Sequence, residues 1–147
     1  MSSNIEKFDL LVAQLLADLY ERFPLEAGIS ASNYGIDVDG LFGGFDGTVD
    51  RDVMARLDFF CSTVRWLKRA GYIDYSSEAD SGAFQAVVLT PKALEILKAT
   101  PASLQASQAL GDYLVDSVRS GASDAIKQGV TAALTAGTLF LWNTLTK

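Results

Sequence analysis

The segment from Asp50 to Ser76 constrains the fold most, because a strong helix pattern runs through a glycine directly into a strand pattern. Asp50 has the side chain of an N-cap, and basic residues fall in the last turn of the helix. Gly71 follows at the position that favours a left-handed helix cap. The spacing therefore predicts a helix over 51–70 and a strand at 72–76.

Ordinary signals on either side predict the other elements of the first hundred residues. Apolar residues at helical spacing indicate one long amphipathic helix near the N-terminus. A capping hydroxyl followed by proline is typical of a helix start. The predicted elements are a helix over 5–23 ended by Pro24, a long loop with one short helix over 25–50, a strand at 84–90, and a short helix from Thr90-Pro91 to Pro101.

This order of elements resembles the winged-helix family, the variant of helix-turn-helix with a two-stranded wing. TVRWLKRAGYI at 63–73 and VLTPKALEIL at 88–97 carry the resemblance, which covers about residues 4–100. It implies an α+β fold, mostly α, in which the 51–70 helix is the recognition helix. The chain departs from the family in one respect, because the second helix must come from the glycine-rich segment 30–50.

Charge is distributed unevenly and limits the possible partners. The net charge is −6, with two basic and nine acidic residues in 1–50, seven and six in 51–100, and three of each in 101–147. An acidic chain is repelled by phosphate. Any nucleic-acid contact therefore has to use a local patch in the middle third of the chain.

Catalytic chemistry has little support in the composition. The chain has no histidine, which removes the usual general base and the commonest metal ligand. Cys61 is the single cysteine, so no intrachain disulfide can form and a reducing cytoplasm is expected. Cys61 also falls on an apolar helix face and is interpreted as a small core residue. We predict no enzymatic activity, no catalytic residues and no cofactor.

The clustered aspartates and glycines of residues 37–52 do not fit known ligand motifs. EF-hand spacing is absent, so the carboxylates are interpreted as turn formers and helix caps, and no metal site is predicted. The sequence GLFGG lacks the lysine and hydroxyl of a phosphate-binding loop. The aspartates in question are Asp37, Asp39, Asp46, Asp50 and Asp52.

The predicted recognition helix has a narrow polar arc. Asp58 lies in this arc, and the loop of the predicted wing carries Glu78 and Asp80 but no cation, so both would repel phosphate. Phe59 and Trp66 are predicted to be buried against another helix or subunit. The candidate nucleic-acid contacts, if there are any, are Ser62, Arg65, Lys68 and Arg69.

Residues 102–147 extend beyond a minimal winged helix and predict one or two helices. Between Lys127 and Lys147 the chain has no charged residue, and the 128–146 segment is long enough as a helix to reach across a bilayer core. Its threonines and glycines make it less apolar than a usual spanning segment. Small residues recur at every fourth position, at Ser117, Gly121, Ala125, Gly129, Ala133 and Gly137.

Such spacing lets helix backbones approach closely, and three uses of the tail stay open. The tail packs on its own domain, pairs with a second copy, or enters a membrane. Pairing with a second copy is preferred, and membrane insertion is the least favoured use. Gly121, Ala125, Gly129, Ala133 and Gly137 are therefore predicted interface residues, together with Phe59 and Trp66.

The sequence thus predicts a winged-helix-like domain at 1–101 and a helical extension at 102–147. The preferred hypothesis is a non-catalytic regulatory or adaptor module in the cytoplasm that self-associates or binds a protein partner. One alternative is a DNA-binding transcriptional regulator dimerised by the C-terminal helices. A second alternative is a small protein that inserts its 128–146 helix into a membrane.

Overall fold

A computed structural model describes residues 3–38, 50–79, 81–101, 104 and 107–145. The fold of these residues is α+β and mostly α, as predicted, and the short strands form one sheet. The elements in chain order are α1 (Asn4–Arg22), β1 (Ala27–Ser30), a 3-10 helix (Ala31–Tyr34), α2 (Arg51–Arg69), β2 (Ile73–Asp74), β3 (Ser77–Ala79), β4 (Ala83–Leu89), α3 (Pro91–Lys98), α4 (Leu110–Ser120) and α5 (Ser123–Leu145).

The chain divides into two compact units. The helical unit consists of Met1–Pro24 and Leu89–Lys147, and the sheet unit consists of Leu25–Val88. The predicted domain boundary at residue 101 falls inside the helical unit, because α1 packs with α4 and α5 there, and α3 also contacts both of these helices. The wide apolar stripe of α1 offers the C-terminal helices a surface to cover.

The ends of α2 follow the sequence signals. Asp50 caps the helix, since its Oδ1 accepts hydrogen bonds from the backbone N–H groups of Asp52 at 3.0 Å and Val53 at 3.2 Å. At the other end Gly71 has a φ of +85°, the left-handed conformation that glycine adopts without strain. Asp50 thus marks the start of α2, and Gly71 lets the chain turn from its end into β2, as predicted.

The sheet has the strand order β1-β4-β2, and β3 also pairs with β4. The predicted strand at 72–76 is divided, because β2 ends at Asp74 and β3 begins only at Ser77. The predicted strand at 84–90 corresponds to β4. We refer to β2, β3 and β4, residues 73–89, as the hairpin.

The prediction of a loop over 25–50 is wrong for β1. This strand pairs antiparallel with β4, and Ile29 lies opposite Phe84. Its four residues include Gly28, which has low strand propensity, so the sequence pattern is weak. The 3-10 helix follows directly, and residues 39–49 lie outside the described part of the chain.

An aromatic cluster forms the centre of the sheet unit. Phe60 of α2 and Phe84 of β4 are fully buried, and their ring centroids lie 6.1 Å apart. Tyr34 approaches Phe60 at 5.5 Å, and Tyr75 meets Phe84 edge-on at 5.0 Å. Tilted and edge-on pairs of this kind stabilise a core beyond their buried area. The cluster joins α2, the 3-10 helix and the sheet.

β4 contains a bulge at Ala86. From Val87 to Phe84 the strand advances by three residues, while the paired strand advances by two, from Ala27 to Ile29. Ala86 has a φ of +58°, which crowds a β-carbon against its own backbone. The extra residue bends the strand and restores its pairing with β1.

We expect Ala86→Gly to raise the free energy of unfolding by about 0.5–1 kcal/mol, because the relief of left-handed strain exceeds the added chain entropy. Denaturant titration measures this change. Ala83→Gly in the same strand is the matched control and should lower the free energy of unfolding, because Ala83 is not in the left-handed region. Equal losses in both variants would contradict the account of the bulge.

The helical unit also follows capping rules. Thr90 Oγ1 accepts a hydrogen bond from the N–H of Ala93 at 3.2 Å, with Pro91 at the first turn, as predicted for α3. In α4, a β-carbon at Gly111 would lie 2.5 Å from Cε1 of Tyr20, so this glycine lets α1 and α4 approach closely. The predicted tail is two helices, α4 and α5.

Candidate functional site

Arg65 on the exposed side of α2 is held by Glu78 of β3. Its Nε donates hydrogen bonds to both carboxylate oxygens at 3.1 Å, and its Nη2 donates to Oε2 at 2.9 Å. Hydrogen bonds between two ionised groups are shorter and stronger than neutral ones. The two residues are 13 positions apart, and they meet because the chain reverses after Gly71.

Lys68 is held by the same hairpin, one turn further along α2. Its Nζ donates a hydrogen bond to the carbonyl of Tyr75 at 3.0 Å and lies 3.4 Å from Oδ1 of Asp74. The ammonium also lies 4.2 Å from the centroid of the Tyr75 ring, a cation–π distance. We call the group formed by Arg65, Lys68, Asp74 and Glu78 the α2–hairpin latch.

Electrostatics follow from this geometry. The hydrogen bonds from Arg65 lower the pKa of Glu78, and they raise the pKa of the Arg65 guanidinium. A carboxyl whose folded pKa is depressed adds stability above its unfolded pKa, and this stability is lost as the pH falls through the folded pKa. By formal charge, the two basic side chains of the latch balance its two carboxylates.

The other predicted nucleic-acid contacts lie outside the latch. Ser62 and Arg69 are exposed on α2, and Asp58 is exposed on the same arc. The structure therefore brings Arg65 and Lys68 together with hairpin carboxylates and leaves Ser62 and Arg69 on the open surface. Asp80 lies outside the described residues.

Trp66 is exposed within the single chain, and its burial against another subunit stays a prediction. Phe59 is half-buried, whereas Trp66 keeps 39% of its surface accessible and Met54 keeps 41%. One apolar stripe of α2 is buried on the core side and includes Leu57, Phe60 and Val64. The second apolar stripe, which carries Phe59 and Trp66, is covered less completely. A large aromatic side chain on α2 is thus accessible.

Cys61 is buried, in agreement with its interpretation as a core residue. Burial raises the pKa of its thiol, with Arg65 acting in the opposite direction as a smaller effect. A raised pKa lowers the fraction of reactive thiolate at neutral pH.

We expect Cys61 in the folded chain to react with a disulfide reagent more than tenfold more slowly than in the urea-unfolded chain, because the thiol is both inaccessible and protonated. The absorbance of the released thiol follows the reaction. Comparable rates in both states would show that the α2 core opens readily.

The predicted small-residue row does not lie on a single helix. Gly121 is exposed and has a φ of +70°, and it caps the end of α4, so the row is interrupted there. Ala125 is half-buried, and Ala133 and Gly137 are buried within the chain. Gly129 is the contact point, because a β-carbon there would lie 2.6 Å from Cδ2 of Leu114 on α4.

The row on α5 therefore packs within the helical unit, the first of the three uses considered for the tail. α5 contacts α1, α3 and α4. Pairing with a second copy stays a prediction. Among the helices in the described parts of the chain, none combines the length and apolarity that a bilayer crossing requires.

The structure describes some of the aspartates that were interpreted as caps and turn formers. Asp50 caps α2, and Asp52 lies 3.6 Å from Arg56 in an ion pair within the helix. Asp39 and Asp46 lie outside the described residues. Among the described residues, no three metal-ligating side chains are grouped as a metal ion would need.

The helical unit contains a cleft that the sequence did not indicate. It has a volume of about 560 Å³, and Glu6, Asp9 and Asp124 line it together with Lys127 and apolar residues. Burial raises the pKa of Asp9, and the nearby Lys127 opposes this effect. Because α1 and α5 are remote in sequence, no local pattern could indicate that these groups share a cleft.

The chain matches no protein-family model, no curated protein and no solved structure. The sequence indicated Arg65, Lys68 and Glu78 but not Asp74, and it predicted neither the Arg65–Glu78 pair nor the Lys68–Asp74 pair. Only the reversal of the chain after Gly71 brings them together.

Proposed function

We propose that this protein is a non-catalytic regulatory or adaptor module that binds a protein partner, or a second copy of itself, through α2 and the hairpin. One observation carries the proposal: Arg65 and Lys68 are held by the chain's own carboxylates, while Trp66 on the same helix is 39% exposed. A helix that combines charge-neutralised cations with an accessible tryptophan suits protein recognition better than phosphate recognition. We also propose that the protein acts in the cytoplasm.

Composition supports the same proposal. The net charge of −6 disfavours approach to polyanions, and tryptophan and arginine are the residues most enriched among energetic centres of protein interfaces. The exposed Met54 lies on the same helix and adds adaptable apolar surface.

Solution mass of the full chain over a range of concentrations, measured by light scattering, tests self-association. If α2 joins two copies, the chain is a discrete oligomer and Trp66→Ser shifts it to monomer, whereas Glu95→Gln at an exposed position of α3 leaves the mass unchanged. Deleting residues 102–147 is not a clean test, because it would uncover the apolar surface of α1 that α4 and α5 contact.

If the chain is monomeric, a photo-crosslinker at position 66 tests for a different protein partner. A discrete crosslinked species that forms at position 66 but not at Glu95 supports the adaptor proposal. A monomer that forms no such species and binds DNA with steep salt dependence would overturn it in favour of the alternative.

That alternative is a DNA-binding transcriptional regulator of the winged-helix type. It is favoured by the resemblance at 63–73 and 88–97 and by a hairpin that directly follows α2. Ser62 and Arg69 remain on the exposed surface as candidate contacts. In this case Arg69→Ala should weaken DNA binding and reduce its salt dependence.

A further inference from the structure

We infer that the α2–hairpin latch excludes nucleic acids and other polyanions from α2, because Asp74 and Glu78 neutralise Lys68 and Arg65, and Glu78 occupies the Nε–Nη2 edge of the guanidinium. This inference rests on the proposed function, because a surface reserved for protein recognition requires protection from the abundant polyanions of a cell. It assigns the hairpin carboxylates a role in selectivity.

Both cations of the latch are already engaged by hairpin groups. Two nitrogens of the Arg65 guanidinium, Nε and Nη2, already donate to Glu78 at 2.9–3.1 Å. The ammonium of Lys68 has a carbonyl at 3.0 Å and a carboxylate at 3.4 Å. A phosphate that bound the Nε–Nη2 edge of Arg65 would have to displace Glu78, and at either cation it would lie close to a carboxylate of like charge.

The four side chains of the latch are all partly accessible to solvent. The Arg65 and Glu78 side chains are 48% and 34% accessible, and those of Lys68 and Asp74 are 44% and 68% accessible. Ion pairs this exposed contribute little to folding stability, because water screens them and the long side chains lose freedom. Their larger consequence is the local charge that the α2 surface presents to an approaching polyanion.

The surrounding charges do not change this balance. Asp58 and Arg69 are both exposed on the polar arc of α2, one of each sign. Adding them to the latch gives three positive and three negative groups. Replacing Asp74 and Glu78 by amides would leave a surface with a formal balance of +2, and each amide would keep one oxygen acceptor.

The test is Asp74→Asn/Glu78→Gln in the full chain, with binding to a short fluorescent DNA duplex followed by anisotropy. We expect the wild type to bind negligibly, and the variant to bind at least about tenfold more tightly at about 50 mM salt. We also expect the logarithmic salt slope to steepen by about two, since two phosphate contacts become available.

Glu95→Gln/Asp116→Asn is the matched control, because it changes the net charge equally through two other exposed carboxylates. Adding Arg65→Ala and Lys68→Ala to the latch variant should abolish the gain. Circular dichroism checks the fold, and Asp74→Asn alone, which leaves the Arg65–Glu78 pair intact, should give about half the change in slope.

A wild type and a latch variant that both fail to bind would overturn the inference and leave the proposed function standing. An equal gain in the control would also overturn it, because net charge alone would then explain binding. Salt-sensitive binding by the wild type would contradict the proposed function itself, so the two failures are distinguishable.

Discussion

Gly82→Ala is expected to lower the free energy of unfolding by about 3 kcal/mol, through backbone strain and overpacking together. Gly82 ends the turn between β3 and β4 with a φ of +80°. A β-carbon there would lie 2.5 Å from Cδ1 of Leu57 and 3.2 Å from Cβ of Ala31. Leu57 can adjust its side chain, but the Cβ of Ala31 is fixed to the backbone.

The backbone around Gly82 makes this position harder to relax. Its N–H donates to the carbonyl of Ala79 at 3.1 Å, and its carbonyl accepts from the N–H of Ala31 at 3.0 Å. A shift that relieved the clash would therefore weaken the turn and its link to the 3-10 helix. Denaturant titration of the purified variant measures the loss.

Two other glycines separate strain from crowding. Gly35 has a φ of +84° with no atom near its missing β-carbon, so Gly35→Ala should cost only the left-handed strain of about 1–2 kcal/mol. Gly28 has neither a positive φ nor a close neighbour, so Gly28→Ala should raise stability by about 0.5–1 kcal/mol. Equal losses at Gly82 and Gly35 would refute the crowding argument.

Local signals in the sequence predicted the elements whose ends they define. Asp50, Gly71 and Thr90 each act within a few residues of their own position, so the sequence contains the whole interaction. β1 was missed for the opposite reason. Its four residues are ordered by pairing with β4, more than fifty positions away, and Gly28 weakens the local pattern.

The ion pairs of the candidate site also depend on contacts that the sequence does not reveal. The sequence indicates that the predicted wing is acidic and that the end of α2 is basic, which predicts a site unsuited to phosphate. It does not show that Glu78 reaches Arg65, because that distance depends on where β2 ends and β3 begins. The sequence therefore predicts opposing charges but not their pairing.

Tail packing could not be decided from spacing alone. Small residues at every fourth position indicate that helix backbones approach closely, but the partner helix is not encoded in the spacing. Gly121 ends α4 in the left-handed conformation, which divides the row and lets α5 reverse direction onto α4. The predicted interface residue Gly129 then meets Leu114 of the same chain.

Gly129→Leu is expected to lower the free energy of unfolding by about 3 kcal/mol or more, because a large side chain would enter a filled contact. The β-carbon alone would lie 2.6 Å from Cδ2 of Leu114 and 3.2 Å from Cδ1 of Tyr113. Leucine gains about 0.8 kcal/mol of helix propensity over glycine, which is too little to offset the crowding. The loss should not depend on protein concentration, since both contacts lie within one chain.

Gln128→Leu is the matched control, because residue 128 is exposed on the neighbouring position of α5. It should change stability by less than about 0.5 kcal/mol. Thermal unfolding at two protein concentrations, combined with light scattering, distinguishes the two uses of this face. If Gly129 instead served a contact with a second copy, Gly129→Leu would reduce the solution mass, and the stability loss would vanish at low concentration, where the wild type is also monomeric.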